Sequence, residues 1–136
     1  MNIFLFLKPK SEVEYLVAEM SVRQALEKME YHRYTNMPII NKEGKYIGSI
    51  SEGDILWYVK NNNIKTLRDT ESINIGEVPR YRVYKAMGID YDSDGLIELS
   101  IMQNFVPIVD SDNTFIGIVT RKDIINHLYN KVKEGK

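Results

Sequence analysis

The first half of the chain contains an amphipathic segment followed by two short apolar runs. After the capping-box sequence that starts at Ser21, apolar residues recur at helical spacing, at Val22, Ala25, Leu26 and Met29. This spacing predicts a helix over residues 22–32. Residues 38–40 and 45–50 predict two strands joined by a polar turn, and a second helix is expected over residues 51–60.

The second half repeats the same succession of patterns 69 positions later. We expect a helix, two strands joined by a turn, and a last helix, over residues 93–103, 106–109, 115–119 and 121–132. The polar residues 65–74 are interpreted as the linker between the copies. Each copy therefore has roughly the order β-α-β-β-α. We expect a first repeat with its N-terminal segment over residues 1–64, and the linker with a second repeat over residues 65–136.

Both repeats carry the same motif where the second strand meets the following helix. The motif is G-x-h-[ST]-x-x-D, with h an apolar residue, and it occupies residues 48–54 and 117–123. Similar segments, at residues 34–40 and 104–109, precede it. This combination resembles the CBS domain, and the tandem pair resembles a Bateman module. The resemblance implies an α/β fold in which two CBS repeats pack as one pseudo-symmetric module.

Composition and charge narrow the classes of partner. The chain has 136 residues, 43% of them hydrophobic, and a formal net charge of -1. This charge gives no general attraction to nucleic acid or to acidic membranes, so neither is expected as a partner. The chain has no cysteine, which excludes disulfides and thiolate zinc sites and fits a reducing cytoplasm. The apolar residues 3–7 are too few for a signal peptide or a membrane span, so we expect a cytoplasmic protein.

The strand-to-helix junctions are the candidate binding sites. The first N–H groups of a helix lack intrahelical partners and attract anions such as phosphate, and Ser51 and Thr120 add a hydroxyl there. One turn later, Asp54 and Asp123 offer acceptor oxygens that suit ribose hydroxyls. An alternative remains open, because the same residue pairs are ordinary capping sequences that satisfy a helix end without any ligand.

The resemblance favours a nucleotide at these junctions. In CBS pairs the matching hydroxyl contacts phosphate, the matching aspartate holds ribose, and the adenine lies in the cleft between the two halves. Matching positions that border the base are Thr35, Asn36, Pro38, Asn104, Phe105 and Pro107. The implied ligand is an adenine nucleotide, AMP, ADP or ATP, with S-adenosylmethionine and cyclic dinucleotides as further members of the family's ligand set. No metal cofactor is expected.

The two junctions differ in charge. Between hydroxyl and aspartate the first repeat has Glu52 and Gly53, whereas the second has Arg121 and Lys122. A phosphate group is therefore better matched to the second junction, with Arg121 as a charge-assisted partner. The alternative is that both cations are exposed charges in the first turn of a helix.

Other chemical motifs are incomplete. Residues 48–53 have the spacing of a phosphate-loop start, but Asp54 stands where a lysine is required. Residues 90–95 resemble half of an EF-hand loop, but Ile101 replaces the bidentate glutamate. We interpret those acidic residues as a turn that caps the next helix. His32 and His127 have no metal-ligand spacing.

These patterns predict a regulatory or sensor module that binds an adenine nucleotide and has no catalytic activity of its own. A homodimer is expected, because the predicted helices carry more apolar surface than a small module buries alone. The downstream protein is not identified by the sequence. The main alternative is a ligand-free homodimeric scaffold or regulatory interaction subunit. A weaker alternative, a nucleotide hydrolase, needs a metal or base that the sequence does not locate.

Overall fold

The computed structural model describes residues 3–90 and 92–135 and contains seven strands and four α-helices in that part of the chain. The strands are β1 (Lys8–Pro9), β2 (Leu16–Val17), β3 (Asn36–Ile40), β4 (Tyr46–Ser51), β5 (Met87–Gly88), β6 (Phe105–Val109) and β7 (Phe115–Thr120). The helices are α1 (Val22–His32), α2 (Glu52–Asn61), α3 (Ser93–Met102) and α4 (Arg121–Glu134). Short 3-10 helices lie at Ile3–Leu5, Lys10–Glu12, Leu67–Ser72 and Ile75–Glu77.

The chain divides into two compact units. One unit, Glu14–Val83, contains the first repeat and is called the first-repeat unit. The other combines the described part of Met1–Val13 with that of Tyr84–Lys136, and is called the second-repeat unit. The N-terminal segment therefore folds with the second repeat. The sequence-based division at residues 64 and 65 concerns the repeats themselves and stays a prediction.

The first-repeat unit has a three-stranded sheet in the order β2-β3-β4. β2 runs parallel to β3, and β3 and β4 form an antiparallel hairpin. Helix α1 connects the two parallel strands, and α2 follows β4 directly. This gives the order β-α-β-β-α that the sequence predicted.

The second-repeat unit has a four-stranded sheet in the order β1-β7-β6-β5. β5 is parallel to β6, and β6 and β7 form an antiparallel hairpin, as in the first repeat. The additional edge strand is β1, which pairs with β7 at Lys8 and Ile118. The predicted α/β fold with two similar repeats is confirmed.

Helix α1 shows why the sequence pattern predicted its bounds correctly. The Ser21 hydroxyl accepts a hydrogen bond from the Gln24 N–H at 3.0 Å, and the Gln24 side chain accepts one from the Ser21 N–H at 2.9 Å. This reciprocal capping box begins the helix. Arg33, in the left-handed conformation at φ 59°, ends it. Val22, Ala25 and Met29 are buried, so the predicted apolar face is the face that packs into the core.

Each unit has its own apolar core. The core of the first-repeat unit joins α1, the β3–β4 hairpin and α2, and it includes Ile75 and Val78 from the segment after α2. The core of the second-repeat unit is built around Leu96, Val106, Val119 and Ile124, with Ile3 added from the N-terminal segment.

The segment predicted as a linker packs on the first repeat. The Thr66 hydroxyl caps the 3-10 helix Leu67–Ser72 by accepting from the Asp69 N–H at 3.2 Å. Further along, the Val22 N–H donates to the Ile73 carbonyl at 2.7 Å. The Ile75 N–H donates to the Met20 carbonyl, also at 2.7 Å. Most of this polar stretch is thus a structured part of the first-repeat unit rather than a free tether.

Candidate functional site

The first junction is formed by the open end of the β3–β4 hairpin. Asn36 and Ser51 are register partners, so the start of β3 lies beside the start of α2. Thr35 is exposed, and its carbonyl oxygen accepts a hydrogen bond from the Glu52 N–H at 3.0 Å. Pro38, two residues into β3, is buried. The structure therefore brings these four predicted site residues to one end of one hairpin.

Ser51 and Asp54 form a complete capping box at this junction. The Ser51 hydroxyl accepts from the Asp54 N–H at 3.1 Å, and Asp54 Oδ2 accepts from the Ser51 N–H at 2.9 Å. The other carboxylate oxygen, Oδ1, accepts from the Tyr81 N–H at 3.1 Å. Both oxygens of Asp54 thus accept hydrogen bonds from the protein, and the pair caps α2. A ligand contact of Ser51 or Asp54 stays a prediction.

Asn36 presents an unsatisfied acceptor beside the same junction. Its Oδ1 atom is buried and has no hydrogen-bond partner among the described residues. A buried acceptor without a partner carries a desolvation cost of about 1–3 kcal/mol. A donor group of a ligand would remove that cost.

The glycine of the first motif is covered by an arginine. Gly48 has φ 149°, a conformation that side chains disfavour, and a Cβ atom there would stand 2.8 Å from Nε of Arg80. Nη1 of Arg80 donates to the Val78 carbonyl at 3.4 Å. Arg80 and Tyr81 therefore lie on the first repeat, although sequence reasoning did not place them there. The only signal was the Tyr- and Arg-rich composition of residues 78–84.

The second junction has the same backbone geometry. Phe105 and Thr120 are register partners, and the Asn104 carbonyl accepts from the Arg121 N–H at 2.9 Å. Pro107 is buried, as Pro38 is in the first repeat. The Thr120 hydroxyl accepts from the Asp123 N–H at 3.2 Å. All the predicted site residues of the second repeat therefore lie at this junction.

Asp123 differs from its counterpart in the first repeat. Among the described residues, no group donates a hydrogen bond to its carboxylate, and the side chain is half-exposed. The N–H of the preceding residue, Lys122, has no protein acceptor in the described structure either. The second junction thus offers a carboxylate and a helix N–H to a ligand.

Arg121 is engaged away from the junction. Its Nε donates to the Ser100 carbonyl at 2.6 Å and its Nη2 to the Ile101 carbonyl at 3.3 Å, so the guanidinium binds the C-terminal end of α3. Carbonyl groups in the last turn of a helix lack intrahelical donors, and a cation there is favourable. The role of Arg121 as a phosphate partner stays a prediction.

Two further residues order the second junction, and sequence reasoning missed both. The Tyr84 hydroxyl donates to Asn104 Oδ1 at 2.8 Å, and its ring lies 5.0 Å from that of Phe105. Gln103 is buried, and its side chain donates to the Lys85 carbonyl at 3.1 Å. It also accepts from the Lys85 N–H at 2.7 Å. These contacts hold Tyr84 and Lys85 against the residues around the start of β6.

The acidic stretch that resembles half of an EF-hand loop has a structural role. Asp92, in the EF-hand-like stretch, is the N-cap of α3, and its Oδ1 accepts from the Gly95 N–H. This confirms the capping interpretation.

Residues 3–90 and 92–135 contain no group of three or more His, Asp or Glu side chains arranged to hold a metal ion. Within the same residues, every helix is too short or too polar to cross a bilayer.

A sequence profile of the CBS domain matches residues 7–61 and 98–130. The chain belongs to the CBS domain family. The two matched segments contain the two junctions, so the protein is a tandem CBS pair, as its repeat indicated.

Relatives share the sequence at low identity and differ in length. An uncharacterized protein of Methanocaldococcus jannaschii is 26% identical over 127 residues, which is 85% of this chain and 45% of that protein. An A-adding tRNA nucleotidyltransferase of Aquifex aeolicus is 29% identical over 110 residues, 81% of this chain and 12% of the enzyme. The chain thus spans less than half the length of these two relatives.

Solved structures share the fold. The CbpB protein of Listeria monocytogenes in complex with c-di-AMP superposes with a TM-score of 0.85 at 20% identity, covering 98% of both chains. CBSX2 in complex with AMP superposes with a TM-score of 0.73 at 21% identity, covering 95% of this chain and 96% of CBSX2. At these identities the likeness concerns the fold.

Proposed function

We propose that this CBS pair is a regulatory module that binds an adenine nucleotide and relays its presence to a partner protein. The observation that carries the proposal is the Asp123 carboxylate, which stands one turn into α4 beside Thr120 and receives no hydrogen bond from the described residues. A half-exposed carboxylate of this kind is suited to accept from the two hydroxyls of a ribose.

The start of α4 supplies the complementary group for phosphate. The N–H groups of Arg121 and Asp123 are already bonded, to the Asn104 carbonyl and the Thr120 hydroxyl. The N–H of Lys122 remains available, at the positive end of the helix dipole. The exposed Lys122 side chain adds a cation in the same turn. Thr120 and Lys122 are therefore the proposed phosphate partners in the second repeat.

The first repeat contributes a different set of groups. Asn36 has a buried Oδ1 without a partner, which an exocyclic amine of a base would satisfy. Thr35 precedes Asn36, and Pro38 follows it two residues later in β3. We propose that these residues contact the base, and that Asn104, Phe105 and Pro107 do so in the second repeat. Ser51 and Asp54 are weaker candidates for phosphate and ribose, because their capping box is complete.

The proteins of similar fold support an adenosyl ligand. CbpB of Listeria monocytogenes was solved with c-di-AMP, and CBSX2 with AMP. Both ligands contain adenosine and phosphate, the two groups that we propose the second junction binds. We propose AMP, ADP, ATP or a cyclic dinucleotide as the ligand class, with S-adenosylmethionine as a further member. The CBS domain is a regulatory family, so the proposed role is binding without catalysis.

A ligand-free scaffold is the second candidate function. The observation that favours it is the first junction, where Asp54 gives both of its oxygens to protein N–H groups. If the second junction were also only a helix cap, the chain would act through its exposed surfaces alone.

Mass spectrometry and calorimetry distinguish the two functions. We expect native mass spectrometry of the purified protein to show a retained adenosyl ligand, and isothermal titration to show binding of AMP, ADP, ATP or c-di-AMP. Asp123→Ala should weaken that binding roughly 10- to 150-fold, since it removes hydrogen bonds to a charged group. Asp94→Ala is the matched control, because Asp94 is an exposed acid in the first turn of α3. An Asp123→Ala protein that binds as tightly as the wild type would remove Asp123 from the proposed ribose site.

A further inference from the structure

The segment 79–83 lies on the first repeat although little of its surface is buried. The Tyr81 side chain is 90% exposed and that of Val83 is 81% exposed, and Arg82 is exposed as well. Burial of these side chains therefore cannot be what fixes the segment. Its position depends on specific polar contacts.

Two contacts hold the segment to the junction of the first repeat. The Tyr81 N–H donates to Asp54 Oδ1 at 3.1 Å, across 27 positions of sequence. The half-buried Arg80 side chain lies over the backbone of Gly48 and occupies the space that a side chain at position 48 would need. Immediately before the segment, Val78 is buried in the core of the first-repeat unit.

We propose that Asp54 is a positioning residue that fastens residues 80–82 to the first repeat, rather than a ribose ligand. Its Oδ2 holds the Ser51 N–H and its Oδ1 holds the Tyr81 N–H, so the carboxylate joins the start of α2 to the segment. Asp123 has the matching place in the second repeat but makes neither kind of contact with the described residues.

The consequence for binding rests on the proposed function. A ribose at the first repeat would compete with the Tyr81 N–H for Asp54 Oδ1, whereas a ribose at the second repeat meets a carboxylate that carries no such bond. The two repeats are therefore inequivalent, and Asp123 provides the principal ribose contact.

Limited digestion by trypsin tests the fastening without any nucleotide. Arg80 and Arg82 are trypsin sites within the segment, and cleavage of a native protein follows the population of locally opened molecules. Asp54→Ala should speed cleavage after these residues about tenfold, the effect of losing one hydrogen bond to a carboxylate. Asp54→Asn keeps one acceptor oxygen for two donors, the Ser51 N–H and the Tyr81 N–H, so its cleavage should be accelerated less than that of Asp54→Ala.

Two control variants separate fastening from capping. Ser51→Ala removes the hydroxyl that caps α2 but leaves the Asp54 carboxylate. Asp123→Ala is the second-repeat counterpart of Asp54→Ala. Neither should speed cleavage at Arg80 or Arg82 more than about twofold. Equal acceleration in Ser51→Ala and Asp54→Ala would mean that Asp54 acts only as a cap, and no acceleration in Asp54→Ala would overturn the proposal.

Titration with AMP and ATP tests the consequence separately. Asp54→Ala should bind within about threefold of the wild type, while Asp123→Ala should lose affinity by at least tenfold. Equal losses in both variants would show that Asp54 is also a ribose ligand. If the wild-type protein binds no adenosyl ligand, the proposed function fails, and the trypsin experiment still decides whether Asp54 fastens the segment.

Discussion

The Nε atom of Arg121 lies 2.6 Å from the carbonyl oxygen of Ser100, so the first residue of α4 binds the last turn of α3. A second donor of the same guanidinium reaches the Ile101 carbonyl at 3.3 Å. The two residues are 21 positions apart in the sequence. Arg121 therefore stabilises the end of α3, although its position in the motif had indicated phosphate binding.

We therefore expect Arg121→Ala to lower the free energy of unfolding by about 1–2 kcal/mol, because two carbonyls of α3 lose a charged donor. Urea denaturation would measure the change. Lys122→Ala is the matched control, since the neighbouring side chain is exposed, and it should leave stability within about 0.5 kcal/mol of the wild type. A tenfold loss of nucleotide affinity in Arg121→Ala at unchanged stability would instead support the phosphate role that the sequence predicted.

Asn36 should show opposite effects on stability and on binding. Replacing it with leucine removes a buried acceptor that has no partner, so the nucleotide-free protein should gain up to about 1 kcal/mol of stability. If Asn36 contacts the base, the same variant should bind the nucleotide more weakly. Melting curves and isothermal titration of one preparation measure both.

Asn104 provides the comparison in the second repeat. Its Oδ1 accepts from the Tyr84 hydroxyl at 2.8 Å, so Asn104→Leu should lose about 1 kcal/mol. A stabilised Asn36→Leu protein with unchanged affinity would remove Asn36 from the proposed binding site while leaving the structural account intact.

The sequence predicted the features that depend on residues close together along the chain. The bounds of α1 followed from a capping box and a three-to-four-residue apolar spacing, both of which are local. The hairpins of both repeats followed from apolar runs around polar turns. The hydroxyl and aspartate of each junction were found because both lie within one motif. The candidate residues around the starts of β3 and β6 came instead from the resemblance to the CBS domain.

The contacts that distinguish the two repeats could not be predicted in this way. Asp54 and Tyr81 are 27 positions apart, and Tyr84 and Asn104 are 20 apart, so no periodic pattern links them. Residues 78–84 carry no part of the repeated motif, and their composition does not tell where such a segment folds. Its place became visible only with the tertiary structure.

Gly117 should be intolerant of a side chain. Its φ is 156°, and Pro9 of β1 is its register partner. A Cβ atom at Gly117 would collide with the carbonyl oxygen of the preceding residue, Lys8. Gly117→Ala should therefore displace β1 or strain β7, and we expect a loss of about 2–4 kcal/mol in urea denaturation. Gly88→Ala is the control, because no atom of the described residues other than its chain neighbours lies within 4 Å of the added methyl group. It should change stability by less than about 0.5 kcal/mol.

Self-association is the last expectation, and it rests on apolar side chains that the fold leaves uncovered. In α2, Leu56 and Trp57 are 58% and 55% exposed, and in α4, Ile125 and Tyr129 are 55% and 60% exposed. Large apolar side chains at adjacent or helically spaced positions favour burial in an interface, and a second copy of the chain is the partner we propose. Light scattering should then show a homodimer at micromolar concentration.

Trp57→Glu and Ile125→Glu test these faces, because a charge buried in an interface costs several kcal/mol unless it is paired. Each variant should shift the mass from dimer towards monomer while retaining the wild-type circular dichroism spectrum. Val83→Glu is the control, since Val83 is 81% exposed and lies outside both helices. A wild-type protein that is monomeric with and without AMP or ATP would contradict the expectation, and a dimer unaffected by either helix variant would place the interface elsewhere on the surface.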